Sequence, residues 1–391
     1  MTDLVPLKRV ASLRPSNVDK KSREGEASVR LCNYTDVYYH ETIRPGMEFM
    51  PATATHDQLQ HFSLRHGDVI MTKDSETADD VGIPAFVEHP PTDLVCGYHL
   101  TLIRPNRRRL DGRFLFWQMS ATHVRQTWEA TAAGVTRVGL RAETVANLPI
   151  RVPCLTEQQA IADYLDTETA RIDALLARKG QLARLLQQRF RDRIRQSMGE
   201  LFDQHGSVPL KRLVQCLDGQ RVPVSSTERA QRTGPYPYYG ASGVVDTIDG
   251  YLFDEELVLL GEDGAQLLDP EYRVAFVVRG KCWVNNHAHV LRPRLADAEF
   301  LAAHLATLDR MPFLSGATRP KLTQDDMGRL PVPRCDLSVQ RETAMRLSHE
   351  EAQLRALTDQ LDRQIELLRE HRQALITAAV TGQLEVPGVA A

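Results

Sequence analysis

Several things are missing from this chain of 391 residues, and each absence narrows what it can be. It has 6 cysteines (Cys32, Cys96, Cys154, Cys216, Cys282 and Cys335), none within four residues of another. That excludes a CxxC zinc ribbon and a disulfide scaffold, and leaves free thiols in a reducing cytoplasm as the expectation. Long apolar runs are lacking. The longest are short stretches such as VAFVV at 274–278, far below the roughly 20 residues of a membrane span. The start, MTDLVPLKRV, has no charged segment followed by an apolar one, so a secretory signal is not expected. A charge excess is missing too: the net charge is −3, which excludes a uniformly basic nucleic-acid binder but not a sorted basic face. Lysine is scarce, 8 residues against 40 arginines, and acidic–lysine clusters of the kind that hold nuclease magnesium do not stand out.

Catalytic motifs are also absent. There is no G-x-x-x-x-G-K-[ST] phosphate loop, no G-x-G-x-x-G after a strand, no H-E-x-x-H and no G-x-S-x-G. The Asn/Asp-Pro-Pro-aromatic tetrapeptide expected of a self-sufficient adenine methyltransferase is missing as well. His287 and His289 are two apart on one face of an expected strand, which suits hydrogen bonding better than a metal site. The composition, 42% apolar and 25% charged, is that of a globular protein rather than a disordered tail. No metal, cofactor or catalytic residue is expected in this chain.

What is present is a repeat. VPLKRV (5–10) returns as VPLKRL (208–213). LPIRVPCLTEQQ (148–159) returns as LPVPRCDLSVQR (330–341), an offset of 182 that also aligns the stretch after it without gaps. Each half therefore has an opening motif, a globular region, a junction and a long helix. In the second helix Leu347, Leu354, Leu361, Leu368 and Leu375 fall seven apart, the mark of a coiled-coil seam. The first runs through Ile161, Leu165, Ile172, Leu175, Leu182 and Leu186, with Lys179 and Arg193 opposite Leu361 and Leu375 in the alignment. Starts after Thr156 and at a Ser338 N-cap, and a stop at Gly382, predict helices of about 43 residues, or roughly 65 Å. Expected seam residues are Ile172, Leu175, Leu182, Leu186, Leu354, Leu361, Leu368 and Leu375.

The globular regions offer candidate DNA contacts, because arginine suits phosphate and guanine while asparagine suits adenine. In region one a strand-ending loop carries Thr72, Lys73 and Ser75, LVCGYHLTLIRP (94–105) carries Tyr98, and the turn AAGVTRVGLR (132–141) carries Thr136 and Arg137. Region two offers Tyr238, Tyr239 and Ser242 in an aromatic loop, then Asn285, Asn286 and His287 beside Trp283. SGATRPKLT (315–323) mirrors the first region's turn with Thr318, Arg319 and Lys321. The recurrence of Thr-Arg before both junctions makes Arg137 and Arg319 the strongest of these candidates.

YPYYGASG (236–243), GEDGA (261–265), WVNNHAHVLRP (283–293), SGATRPKLT (315–323) and the repeated PLKR together resemble the specificity subunit of type I restriction-modification systems. So do TEQQAIADYLDTETARIDALL (156–176) and LREHRQALITAAVTGQLEV (368–386), which match the family's two spacer regions. The resemblance covers nearly the whole chain. It implies an α+β fold: two mixed α/β target-recognition domains, 1–147 and 207–337, separated by two long helices, 148–206 and 338–391. The helices would pair as an antiparallel coiled coil, with a pseudo-twofold internal repeat. It also implies a non-catalytic subunit that reads a bipartite, asymmetric target on double-stranded DNA. Its coiled coil would dock two methyltransferase subunits and, where present, restriction subunits. S-adenosylmethionine would then belong to the methyltransferase subunits, and ATP and magnesium to the restriction subunits. The alternatives are a coiled-coil scaffold without DNA contact and a fused DNA-modifying enzyme.

Overall fold

The computed structural model describes residues 4–269, 272–316 and 319–388. The chain divides into two compact units, Met1–Arg178 with Gln364–Ala391, and Lys179–Arg363. Each unit joins one globular region to one part of each long helix, so the units cut across the four segments expected from sequence.

In the first unit a five-stranded sheet runs in the order Ala11–Pro15, Leu100–Pro105, Val69–Thr72, Pro84–Val87, Thr42–Ile43. Val69–Thr72 is buried throughout, as an unbroken apolar run with cover on both faces should be. Ala27–Cys32 lies between Met50–Ala54 and Leu94–Cys96 in a second sheet of three strands. One core cluster gathers Leu115, Trp117 and Trp128 with Ile161 and Leu165 of the central helix and Ile376 and Val380 of the C-terminal helix.

The second unit repeats the central layout. Ala288–Pro293 lies between Val214–Cys216 and Leu257–Gly261, with Ala275–Val278 at the edge. A separate four-stranded sheet holds Gly243–Ile248, Tyr236–Gly240, Lys281–Val284 and Phe253–Asp254. The globular regions thus share one sheet plan and differ in the other.

The repeated sequence motifs form a clasp in each unit. Leu4–Pro6 pairs antiparallel with Pro149–Arg151, and Ser207–Pro209 pairs with Pro331–Pro333. After each opening strand a leucine N–H bonds a junction carbonyl: Leu7 to Leu148 at 2.9 Å and Leu210 to Leu330 at 2.9 Å. Both leucines are fully buried.

The helices are Leu155–His205, 51 residues, and Leu337–Thr381, 45 residues. Thr156 and Ser338 lie inside the first turns rather than before them. Amide bonds from Gln158 to the Cys154 carbonyl and from Gln340 to the Asp336 carbonyl already close those turns. The central helix outruns expectation because nothing breaks it before Gly206, whose φ of +69° suits glycine. Gly382, at φ +78°, ends the second helix as expected, with the Gln383 N–H folded back on the Ala378 carbonyl at 2.9 Å.

Within each unit the helical segments run in opposite directions. In the first, Arg372 grips Asp173 at 3.0 Å and also Glu41, while Gly382 lies against Arg151. In the second, Arg346 bonds Ser197 and Arg193 approaches Glu350 at 3.8 Å. The expected seam needs one correction. Ile172 is buried and Leu186, Leu354, Leu361, Leu368 and Leu375 are half-buried, but Leu175 and Leu182 are 43% and 47% exposed. The covered line steps through Ile172, Leu176, Lys179, Ala183 and Leu186, so the heptad containing Leu175 and Leu182 lies beside it. Among the described residues no helix is long and apolar enough to cross a membrane.

Candidate nucleic-acid interface

The two globular regions build one polar cluster in duplicate. In the first, Asp74 takes an ion pair from Arg137 at 2.6 Å and a hydrogen bond from His99 Nδ1 at 2.9 Å. In the second, Asp263 takes Arg319 at 3.0 Å and His287 Nδ1 at 2.9 Å. The backbone explains the match. Lys73 N–H bonds the His99 carbonyl, and Glu262 N–H bonds that of His287, which sets each aspartate beside its histidine. Leu140 N–H bonds the Lys73 carbonyl, and Leu322 N–H bonds that of Glu262, which brings in the arginine turn. Gly134 and Gly316 begin those turns at positive φ, 151° and 87°. A Cβ on either would collide with the carbonyl of the arginine three residues on, so both positions require glycine.

The aspartates are largely covered, at 19% and 15% side-chain exposure, whereas Arg137 and Arg319 keep 46% and 64%. Each guanidinium is therefore held by a sheltered anion and presented outward. Of the residues singled out from the sequence, Arg137, Arg319 and His287 fall in these clusters. Asp74, His99 and Asp263 were not among the candidates. Their signal was a nearly equal separation, 25 residues from Asp74 to His99 and 24 from Asp263 to His287.

Other candidates have internal tasks. Thr72 is fully buried, and its hydroxyl accepts from the Gly82 and Ile83 amides. Ser75 is buried and bonds Asp80 at 3.1 Å. Tyr238 lies in the core with its hydroxyl on Val224, and Tyr239 packs on Phe276. Asn285 is a turn residue whose Oδ1 accepts from the His287 amide at 2.8 Å. Their burial is set by strand pairing across the sheets, which local sequence does not show. Lys73 is half-buried. Its ammonium bonds the Ser16 carbonyl and sits 4.3 Å above the Tyr98 ring, and burial pulls its pKa below the usual lysine value. Lys321 pairs with Glu262 at 3.1 Å. Tyr98, Thr136, Ser242 and Asn286 remain exposed. Thr318 lies outside the described residues.

Behind the second cluster, Asp218, Glu262 and His289 each bring a ligand-type atom within 4.8 Å of the others. Their partners are already supplied. His289 faces Asp218 at 2.6 Å and the Leu322 carbonyl at 2.8 Å, and Arg221 bonds Glu262 at 2.5 Å. Burial pushes the Asp218 carboxyl up, but the His289 contacts, the Val290 N–H and the Arg221 charge together outweigh it and hold the carboxyl below its usual range.

Residues 56–183 and 207–367 both match the model of the type I restriction modification DNA specificity domain. The chain belongs to this type I specificity family. A type I restriction enzyme specificity subunit from Haemophilus influenzae is 38% identical over 135 residues, 34% of each chain. The match thus spans about a third of that relative's length. A solved structure described as the structural basis of complex assembly and conformational transition of the type I R-M system superposes with TM-score 0.65 at 19% identity, covering 97% of this chain and 98% of that one. The specificity subunit from Thermoanaerobacter tengcongensis covers 97% of both chains at 20% identity and TM-score 0.46. The first superposition supports the α+β fold, and the two matched stretches show the specificity domain in duplicate.

Proposed function

We propose that this specificity-family chain is the DNA-reading subunit of a type I restriction-modification complex. Its two globular regions would each read one half of a bipartite, asymmetric target on double-stranded DNA. Its paired helices would dock two methyltransferase subunits and, where the system has them, restriction subunits. In that complex S-adenosylmethionine belongs to the methyltransferase subunits, and ATP and magnesium to the restriction subunits. The setting is then the cytoplasm, beside its DNA. One observation carries the reading: the chain builds the same outward-held arginine twice, on regions whose remaining surfaces differ. Two related but unequal readers suit a target with two unequal halves.

The test is co-expression with the adenine methyltransferase of the same system, followed by single-molecule sequencing of methylated DNA. One asymmetric bipartite methylated sequence is the expected result. Salt-independent or absent DNA binding would leave only a scaffold. Methyl transfer by this chain alone would make it an enzyme instead.

A further inference from the structure

The repeated clusters sit beside positions that do not repeat. Counting from the shared histidine, the residue before it is Tyr98 in one region and Asn286 in the other, both exposed. The residue before the shared aspartate is Lys73 in one and Glu262 in the other, opposite in charge. The aspartate, histidine, arginine and turn glycine are the same in both. A constant cluster and one variable exposed neighbour, Tyr98 or Asn286, thus share one surface in each unit, while Glu262 is buried behind its cluster and Lys73 is half-buried.

We propose, on the reading above, that Arg137 and Arg319 each hold a backbone phosphate of the DNA duplex and read no base. Duplex DNA is the ligand that offers a constant part and a variable part on one surface, backbone and base edges. Two different half-sites still present the same phosphates, so the phosphate contact can stay fixed while its neighbours change. A protein partner common to both regions would instead favour sameness across the patch, including at the exposed pair Tyr98/Asn286. The chemistry also fits. A guanidinium carries five N–H donors in a planar fork matched to phosphate oxygens, and the aspartate takes up one nitrogen of each fork. The glycine turn and the sheltered aspartate fix the side chain before DNA arrives, which lowers the ordering cost of binding.

The experiment uses the complex of the full chain with its methyltransferase subunits. Arg137→Gln and Arg319→Gln are compared with wild type on target DNA and on unrelated duplex, across a range of salt concentrations. Each variant is expected to bind both duplexes about tenfold more weakly. The slope of log affinity against log salt should become shallower by about 1 per arginine, and the methylated sequence should not change. Arg137→Lys should keep the slope and recover part of the affinity. Relaxed preference at a single base pair would overturn the proposal in favour of base reading. Unchanged DNA affinity with loss of methyltransferase subunits would overturn it in favour of a protein contact. Lower thermal stability with unchanged DNA binding would reduce the cluster to a brace. A wild-type complex that selects no DNA removes the proposed function as well. A wild-type complex that selects DNA and is matched by both glutamine variants removes this inference alone.

Discussion

The side chain of Gln158 accepts the backbone N–H of Asp111 at 2.8 Å, and Gln340 does the same for Asp297 at 2.9 Å. Both glutamines are buried in the first turn of a long helix, and both aspartates cap a helix of the adjoining globular region. The amide nitrogens complete each lock. Gln158 Nε2 donates to the Arg109 and Pro153 carbonyls, and Gln340 Nε2 to that of Cys335.

Replacing Gln158 by alanine strands one buried donor and two acceptors. The expected loss is roughly 3 kcal/mol or more, since each of these three unmatched groups costs about 1–3 kcal/mol. Urea denaturation of the full chain checks it. A change under about 0.5 kcal/mol would mean water replaces the amide.

Acid should weaken the second unit through His304. This imidazole is 2% exposed, donates from Nε2 to the Pro331 carbonyl at 2.7 Å, and is pushed by burial to a pKa of about 4. The unfolded histidine titrates near 6.5, so between those values the unfolded chain binds the extra proton. Stability is fully present above about pH 6.5 and falls as the pH drops toward 4, by about 3 kcal/mol in all. The equivalent position in the first unit is Gln118, which bonds Arg151 without titrating. His304→Gln should therefore flatten the pH dependence of the urea midpoint. An unchanged acid slope would assign it to other groups.

Tyr98 and Asn286 should separate the half-sites. Alanine at Tyr98 is expected to relax one half of the methylated sequence and leave the other intact, and alanine at Asn286 to do the reverse. Methylome sequencing reads both. The same base pairs relaxed by both variants would contradict one reader per half.

Helix length should set spacer length. Four residues added to each helix near Arg178 and Gln364 extend it by about 6 Å, close to two base-pair rises. Gel shifts on duplexes with graded spacers should show the preferred spacer growing by about two. An unchanged preference would mean the helices do not measure the distance.

The repeat was legible because short motifs at fixed offsets survive in the linear sequence. VPLKR and the LP junctions mark the two clasps, and the Thr-Arg turns mark Arg137 and Arg319. What sequence hid was the far partner. Asp74 and His99 meet only because strands Val69–Thr72 and Leu100–Pro105 pair. The same pairing buries Thr72, and parallel pairing with Lys281–Val284 helps bury Tyr238. The heptad through Leu175 and Leu182 misled for a related reason. Periodicity gives a helix face, but which face is covered depends on what packs against it.

The clasps carry a consequence for how such chains diversify. Each globular region leaves and rejoins its neighbours through two short strands paired mainly by backbone hydrogen bonds. Everything between those strands can be exchanged for a different insert that ends in the same clasp and the same glutamine lock. On the proposed function, exchanging that segment would exchange one specificity for another while the clasp and the helices keep their own contacts.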